Sequence, residues 1–267
     1  MFSDWTYGLA GLVLLVVLVP YVLGPIVVFS TLRFRIPPTI VVVDPREYPL
    51  PESARAYFAE AFQSLTANGF ELIGTMGLPD LTPNAQTLFA LYANRTTEDM
   101  AMSAVIVGQS GVGPELRTNY VEFVRRFDDG VVVQTNNSHE LSAFKRLPDE
   151  YTTKFWEIRD IARLYQLHRL LADRFRQRGR PVLQLFTNFG GNAIQYLSQA
   201  VLEETFRSQV TTGYLAETGG GFRPTVKGSL LMTWQELWPA KGIRRAREKQ
   251  RAESLLAELE PRLMSLR

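Results

Sequence analysis

The run GLAGLVLLVVLVPYVLGPIVVFSTL, residues 8 to 32, decides how the rest of the chain is read. From Trp5 to Leu32 no residue is charged, and the stretch exceeds the roughly 20 apolar residues that a helix needs to cross a bilayer core. It reads as a single-pass transmembrane helix. A cleaved signal peptide would want a basic lead, an apolar core of about 7 to 15 residues and a small-residue cleavage site. Here the only charge ahead of the run is Asp4, and the far end is Leu32-Arg33-Phe34-Arg35. A buried helix of a globular core would be shorter and would keep a polar side.

Arg33 and Arg35 follow the run and nothing basic precedes it. That charge bias places the amino terminus outside and the bulk of the chain in the cytoplasm. Pro20 and Pro25 each delete a backbone donor, and Gly24 adjoins the second, so the helix is expected to bend. The carbonyls freed by the bend then need donors from a neighbouring element.

Working outward, residues 1–35 form the anchor. Residues 36–51 carry prolines at 37, 38, 45, 49 and 51 and read as an extended connector. Residues 52–148 read as an α+β domain, one helix on an antiparallel sheet. Ser53 can cap a helix with Tyr57, Phe58, Ala61, Phe62 and Leu65 at helical spacing, ending at Asn68-Gly69. Strands are predicted over 70–76, 87–94, 100–108, 119–127 and 131–135 from their β-branched and aromatic content, with turns at 94–99 and 128–130. Residues 149–267 read as mainly helical. Ile158, Ile161, Tyr165, His168, Ala172 and Phe175 recur in steps of three and four, the stripe of a long amphipathic helix.

Near the end of that region the order helix, Gly213-Tyr214-Leu215, a glycine turn at 219–221, Thr225-Val226-Lys227-Gly228 and a further helix resembles the wing and last helix of a winged-helix domain. The resemblance covers about 40 residues and implies that the helix before the wing, from Asn192 to Ser208, would read DNA through basic or amide side chains. That helix offers Arg207 alone and carries Glu203 and Glu204, so nucleic acid is not an expected partner.

The 267 residues are 46% hydrophobic and 21% charged, values that exclude a disordered chain, a collagen-like repeat and a polytopic transporter. Lys and Arg number 29 against 27 Asp and Glu. That balance is too even to mark a nucleic-acid binder by itself. With no cysteine, disulfides, thiolate zinc sites and a thiol nucleophile are excluded.

No catalytic motif, cofactor or metal site is expected. His139 and His168 are not paired at a ligand spacing and read as structural. Ser110 lacks the glycine register of a nucleophile elbow. Gly219 to Gly221 lack the Lys that a phosphate loop needs. Asp128-Asp129-Gly130 is turn chemistry, and Gly190-Gly191 before Asn192 is explained by helix capping. Asn94-Arg95-Thr96 and Asn136-Asn137-Ser138 match glycosylation acceptors only for a chain outside the cell.

What remains is surface. Trp234 and Trp238 lie one helical turn apart and are followed by Lys241, Arg244, Arg245, Arg247, Lys249 and Arg251. Aromatics beside a basic run suit contact with anionic lipid headgroups or an acidic partner. Together with Arg33 and Arg35 these are the expected contact residues. The chain is thus expected to be a non-catalytic accessory or scaffold subunit of a larger membrane complex, such as a respiratory or photosynthetic one, with other membrane subunits as partners. A membrane-tethered winged-helix regulator and a membrane-anchored small-molecule sensor are the alternatives.

Overall fold

The computed structural model describes residues 11, 15, 19–45, 47–82, 85–110, 113–176 and 178–264. A π-helical turn, Val19–Leu23, leads into α1 (Gly24–Thr31). The short strands β1 (Phe34–Arg35) and β2 (Val41–Val42) precede α2 (Glu52–Ala67). Then come β3 (Glu71–Thr82), β4 (Ala85–Asn94), β5 (Asp99–Ser110), β6 (Gly113–Arg126), β7 (Val132–Asn136) and β8 (Glu150–Lys154). The helix α3 (Ile161–Phe175) is followed by single turns α4 (Gln184–Thr187) and α5 (Ala193–Tyr196), a second π-helical stretch, Leu197–Glu203, and α6 (Glu204–Thr211). The hairpin β9 (Leu215–Thr218) and β10 (Gly221–Pro224) precedes α7 (Val226–Trp234) and α8 (Ala240–Met264).

These elements fall into two compact units. The smaller takes the described residues up to Pro37 together with 142–146 and 202–247; the larger takes 38–141, 147–201 and the described residues from Glu248 on.

In the larger unit seven strands form one sheet in the order β2-β3-β4-β5-β6-β7-β8. Every pair is antiparallel except β7 with β8. The tight turns explain the antiparallel pairs. At 94–99 the Asn94 carboxamide oxygen accepts from the backbone of Thr96 and Thr97. At 127–131 Gly130 supplies a φ of 90°, open to glycine at no steric cost.

Along β6 the alternation is strict: Val121, Phe123 and Arg125 are buried while Glu122, Val124 and Arg126 are half-buried. Val121 and Phe123 belong to a core that also takes Ala54, Phe58, Ala61 and Leu65 of α2, Leu164, Leu167 and Leu171 of α3, and Ala252, Leu255, Leu259 and Leu263 of α8. Each fully buried leucine contributes roughly 1.5–3 kcal/mol through the area it removes from water. Asp160 starts α3 by accepting from the backbone of Ala162 and Arg163, which satisfies donors that the first turn leaves open.

The smaller unit holds a three-stranded sheet in the order β1-β10-β9. Phe34 pairs with Phe222 and Arg35 with Gly221. A side chain at Gly221 would strike the Phe34 carbonyl, so the pairing of β1 with β10 depends on that glycine. Phe34 stacks on Phe206 at 4.6 Å between ring centroids, in a core with Tyr214, Leu215, Phe222 and Met232. α1 packs along α7, where a side chain at Gly24 would stand 2.9 Å from the Thr233 methyl.

The transmembrane reading is corrected by this structure. Among the described residues no helix is long and apolar enough to cross a membrane. The helical backbone of the π turn and α1 ends at Thr31, and the chain enters β1 within a few residues. Residues 8–10, 12–14 and 16–18 of the apolar run lie outside the described residues. The single-pass topology, the membrane localisation and the sidedness drawn from Arg33 and Arg35 are withdrawn with the span. The physical reason is that hydropathy alone does not say what an apolar helix packs against, and α1 packs in part on α7. The fold class is corrected as well. The chain is an α/β fold with a seven-stranded and a three-stranded sheet, and the larger core takes three helices where one was expected.

Candidate functional site

The densest polar constellation of the larger unit was not anticipated from the sequence. Asp99 opens β5, and because Met100 pairs with Val124, the next position on β6 brings Arg125 beside it. Thr135 pairs with Phe123 on the neighbouring strand. From α3, Tyr165 and His168 project onto the same spot, one helical step of three apart.

The Arg125 guanidinium grips the Asp99 carboxylate with both arms, Nε to Oδ1 and Nη2 to Oδ2, each at 2.7 Å. The Tyr165 hydroxyl donates to Oδ2 at 2.9 Å and itself lies 2.8 Å from the Thr97 hydroxyl. His168 places Nε2 3.4 Å from Oδ1 and Nδ1 3.0 Å from the Thr135 hydroxyl. Since an ionised carboxylate only accepts, Nε2 carries the proton toward Asp99.

Burial alone would raise the Asp99 carboxyl, but hydrogen bonds and charge from His168 and Arg125 outweigh it and hold the group well below the usual carboxylate range. Burial together with Asp99 pushes the Tyr165 hydroxyl upward. Burial would lower Arg125, yet its bond to Asp99 leaves it raised.

Hydroxyl, imidazole and carboxylate stand here in the order of a nucleophilic triad. Two observations argue against that use. Thr135, His168 and Asp99 each have 0% exposure, so no substrate atom reaches the hydroxyl. The carboxylate is also already neutralised by Arg125, whereas a triad needs its negative charge to stabilise an imidazolium. The arrangement can lock three strands to α3.

The other residues singled out from sequence are absorbed locally. His139 stacks on Trp156. Asp129 accepts from the backbone of Gly179 at 2.8 Å, and Asp128 from Arg180 at 2.8 Å, fastening the 178–180 loop. The Gly191 N–H donates to the Leu185 carbonyl and the Asn192 side chain caps Gln195, leaving that N–H committed. Asn94 and Asn136 are buried and hydrogen-bonded. Arg207, the one base of the helix before the wing, is held by Glu203 at 2.8 Å and lies 3.8 Å from Glu217.

The smaller unit presents the opposite situation. Pro25 lacks the N–H that would have donated to the Tyr21 carbonyl in an α-helix. Trp234 fills the place, its indole Nε1–H donating to that carbonyl at 2.8 Å. The Tyr21 hydroxyl in turn donates to the Trp238 carbonyl. These bonds fix α1 and the end of α7 together while both indoles stay exposed, Trp238 at 81%. On α1 and the turn before it, Val19, Val22, Leu23, Ile26, Val27 and Phe29 are exposed as well.

The structure divides the predicted basic run. Lys241 and Arg244 both pair with Glu236, at 3.0 and 3.3 Å, and Arg244 also donates to the Ser142 carbonyl at 2.6 Å. Lys249 lies in the larger unit, 3.5 Å from Glu157 and 3.8 Å from Glu253. Arg251 belongs to the larger unit too. Arg33 caps the end of α1 by donating to the carbonyls of Phe29 and Leu32, and Arg35 lies in β1. Arg245 and Arg247 are exposed. In the smaller unit Trp234, Trp238, Lys241, Arg244, Arg245 and Arg247 thus lie within two short consecutive segments; Lys249 and Arg251 do not join them.

A signal for the buried network was present in the sequence. Val121, Phe123, Arg125 and Phe127 share one face by their spacing, so an arginine on the apolar side of a strand needed a buried carboxylate. Compared with family models, with curated proteins and with solved structures, the chain matches none.

Proposed function

We propose that the protein is a non-catalytic docking or scaffold subunit that joins a larger protein assembly through the smaller unit. The observation that carries this reading is the exposure of contiguous large apolar side chains on α1 and the turn before it, next to an almost fully exposed Trp238. Exposed apolar patches of this kind mark interaction sites in folded proteins. The sealed state of Asp99, His168 and Thr135 supports the non-catalytic half of the reading, because this constellation with the order of a triad has no access to a substrate.

The test is the size of the native assembly. In clarified extracts of cells producing the chain, size-exclusion chromatography with immunodetection should place it well above a monomer. The variant Val22→Glu/Ile26→Glu should elute as a monomer with an unchanged thermal melt. A wild-type chain that elutes as a monomer throughout, or a variant that stays in the assembly, overturns the reading.

A further inference from the structure

The stretch Arg174-Phe175-Arg176-Gln177-Arg178-Gly179-Arg180 carries four arginines at alternate positions. It lies in the larger unit, where α3 ends and the chain returns to pair Pro181 with Phe127. All four arginines are exposed. Like charges at this density repel one another and favour a loose, extended loop. The fold nevertheless holds this one in place.

Phe175 anchors the start of the loop by stacking on Tyr151 at 4.5 Å between ring centroids. Beyond it the Asp128-Asp129 turn takes hold of the backbone. Asp129 Oδ2 accepts from the backbone N–H groups of Arg178 and Gly179, at 3.3 and 2.8 Å, and Asp128 Oδ1 accepts from that of Arg180 at 2.8 Å. The Asp128 N–H donates to the Arg180 carbonyl at 3.0 Å, and the Val182 N–H to the Arg126 carbonyl at 2.9 Å. Within the loop the Arg176 Nε–H donates to the Gly179 carbonyl at 2.9 Å. Gly179 is buried, and a side chain there would stand 2.4 Å from the Asp129 carboxylate. The two carboxylates thus hold the backbone and leave the loop's own charges open. Arg174 is paired with Glu258, but among the described residues the guanidinium groups of Arg176, Arg178 and Arg180 meet no carboxylate.

We infer that this loop is a second interaction surface, on the larger unit, and that it receives a short acidic segment of a partner protein. Guanidinium forks match carboxylates through paired hydrogen bonds, and arginine is enriched where proteins meet. A loop that is ordered beforehand does not have to be ordered by the partner. The surroundings favour a short protein segment over a nucleic acid. Asp128 and Asp129 touch the loop and Asp173 adjoins it in sequence, so a continuous run of phosphates, which needs an extended positive track, would meet negative charge as well as positive. A single acidic segment needs only the loop. This surface is independent of the docking proposed for the smaller unit.

The experiment titrates the full chain, at an ionic strength of about 0.15 M, against a fluorescein-labelled peptide of alternating Glu and Gly. A peptide of alternating Lys and Gly is the reference. The Glu peptide should bind and the Lys peptide should not. Arg178→Gln/Arg180→Gln should weaken binding about tenfold. Arg159→Gln/Arg223→Gln makes the same change of charge at exposed positions outside the loop and should leave binding unchanged. Gly179→Ala alters no charge but forces the loop off Asp129, and should weaken binding several-fold. Circular dichroism melts establish that the variants fold, and the arginine pairs, being exposed, keep the test decisive if Gly179→Ala does not.

Failure of the Glu peptide to bind overturns the proposal, as does an equal loss from the two arginine pairs. A Gly179→Ala chain that folds and binds like wild type overturns it too, because the held loop would then count for nothing beyond its charge. A duplex oligonucleotide, or vesicles of phosphatidylglycerol and phosphatidylcholine, that bind more tightly than the Glu peptide and are lost in Arg178→Gln/Arg180→Gln assign the loop to phosphate, with the same result.

Discussion

The centre of the larger unit and the outer side of α1 handle difficult groups in opposite ways. The Asp99 carboxylate is inside and is answered inside, by Arg125, Tyr165 and His168 within bonding distance. On α1 Ile26, Val27 and Phe29 are exposed, although the carbonyl of Tyr21 just before the helix is answered by Trp234. A group that is matched within the fold serves stability. A surface whose backbone is completed but whose side chains are left uncovered is ready for something from outside. The contrast separates a part of this chain whose groups are matched within the fold from the part proposed above to meet a partner.

The sharpest way to break this contrast is Arg125→Met. It leaves the Asp99 carboxylate buried without its main partner, and such losses cost about 3–5 kcal/mol. Urea denaturation should show that drop in the midpoint. A second change, Asp99→Leu in the same chain, should recover much of it, because the penalty belongs to the uncompensated charge and not to the loss of the pair. A drop below about 1 kcal/mol in the single variant would make the pair an ordinary surface bridge.

Acid should act next most strongly. The folded Asp99 carboxyl lies below its ordinary value, so its contribution is complete above the unfolded pKa of about 4 and is lost as pH falls through and below it. Glu122 has the opposite sign. Burial pushes its carboxyl up despite the bond from Asn136 at 2.8 Å, so its contribution is full at low pH and is lost as pH rises. Glu122→Gln should therefore raise the melting temperature at pH 7 and leave it nearly unchanged at pH 4, as calorimetry at the two values would show.

Trp234→Phe removes the donor to the Tyr21 carbonyl and should cost about 1 kcal/mol, the usual net worth of one hydrogen bond. The smallest expected effect on stability belongs to the exposed face of α1. Ile26→Glu should change the unfolding free energy by no more than about 0.5 kcal/mol, while abolishing assembly. A large loss of stability there would mean that this face is part of the fold, and the contrast with Asp99 would collapse.

Much of the larger unit was legible because its signals are local. The Asn94 turn and the Asp128-Asp129-Gly130 turn separate segments rich in β-branched residues, and β4 to β7 lie where those segments were read. β8 was missed. Its Glu150-Tyr151-Thr152-Thr153-Lys154 pairs in parallel with β7, and a parallel partner leaves no tight turn to announce it. β1 was missed for a stronger version of the same reason: two residues pair with Phe222 and Gly221, far along the chain, and the strand is too short to show a period. The candidate site was legible only in composition. Trp234, Trp238 and the arginines stood out, but Glu236 gave no sign that it would neutralise Lys241 and Arg244 while Arg245 and Arg247 kept their charge. The apolar run misled because continuous hydropathy records what a segment avoids and not what it packs against.

The exposure of Trp238 also gives this protein an optical voice. An indole in contact with water emits at longer wavelength than one taken out of it, so anything that settles on this face shifts the light the chain gives back. Trp234, bonded to Tyr21 through its N–H, is the built-in comparison. The difference spectrum between the wild type and Trp238→Phe isolates the reporting indole, and no dye has to be attached to a surface whose whole value lies in being bare.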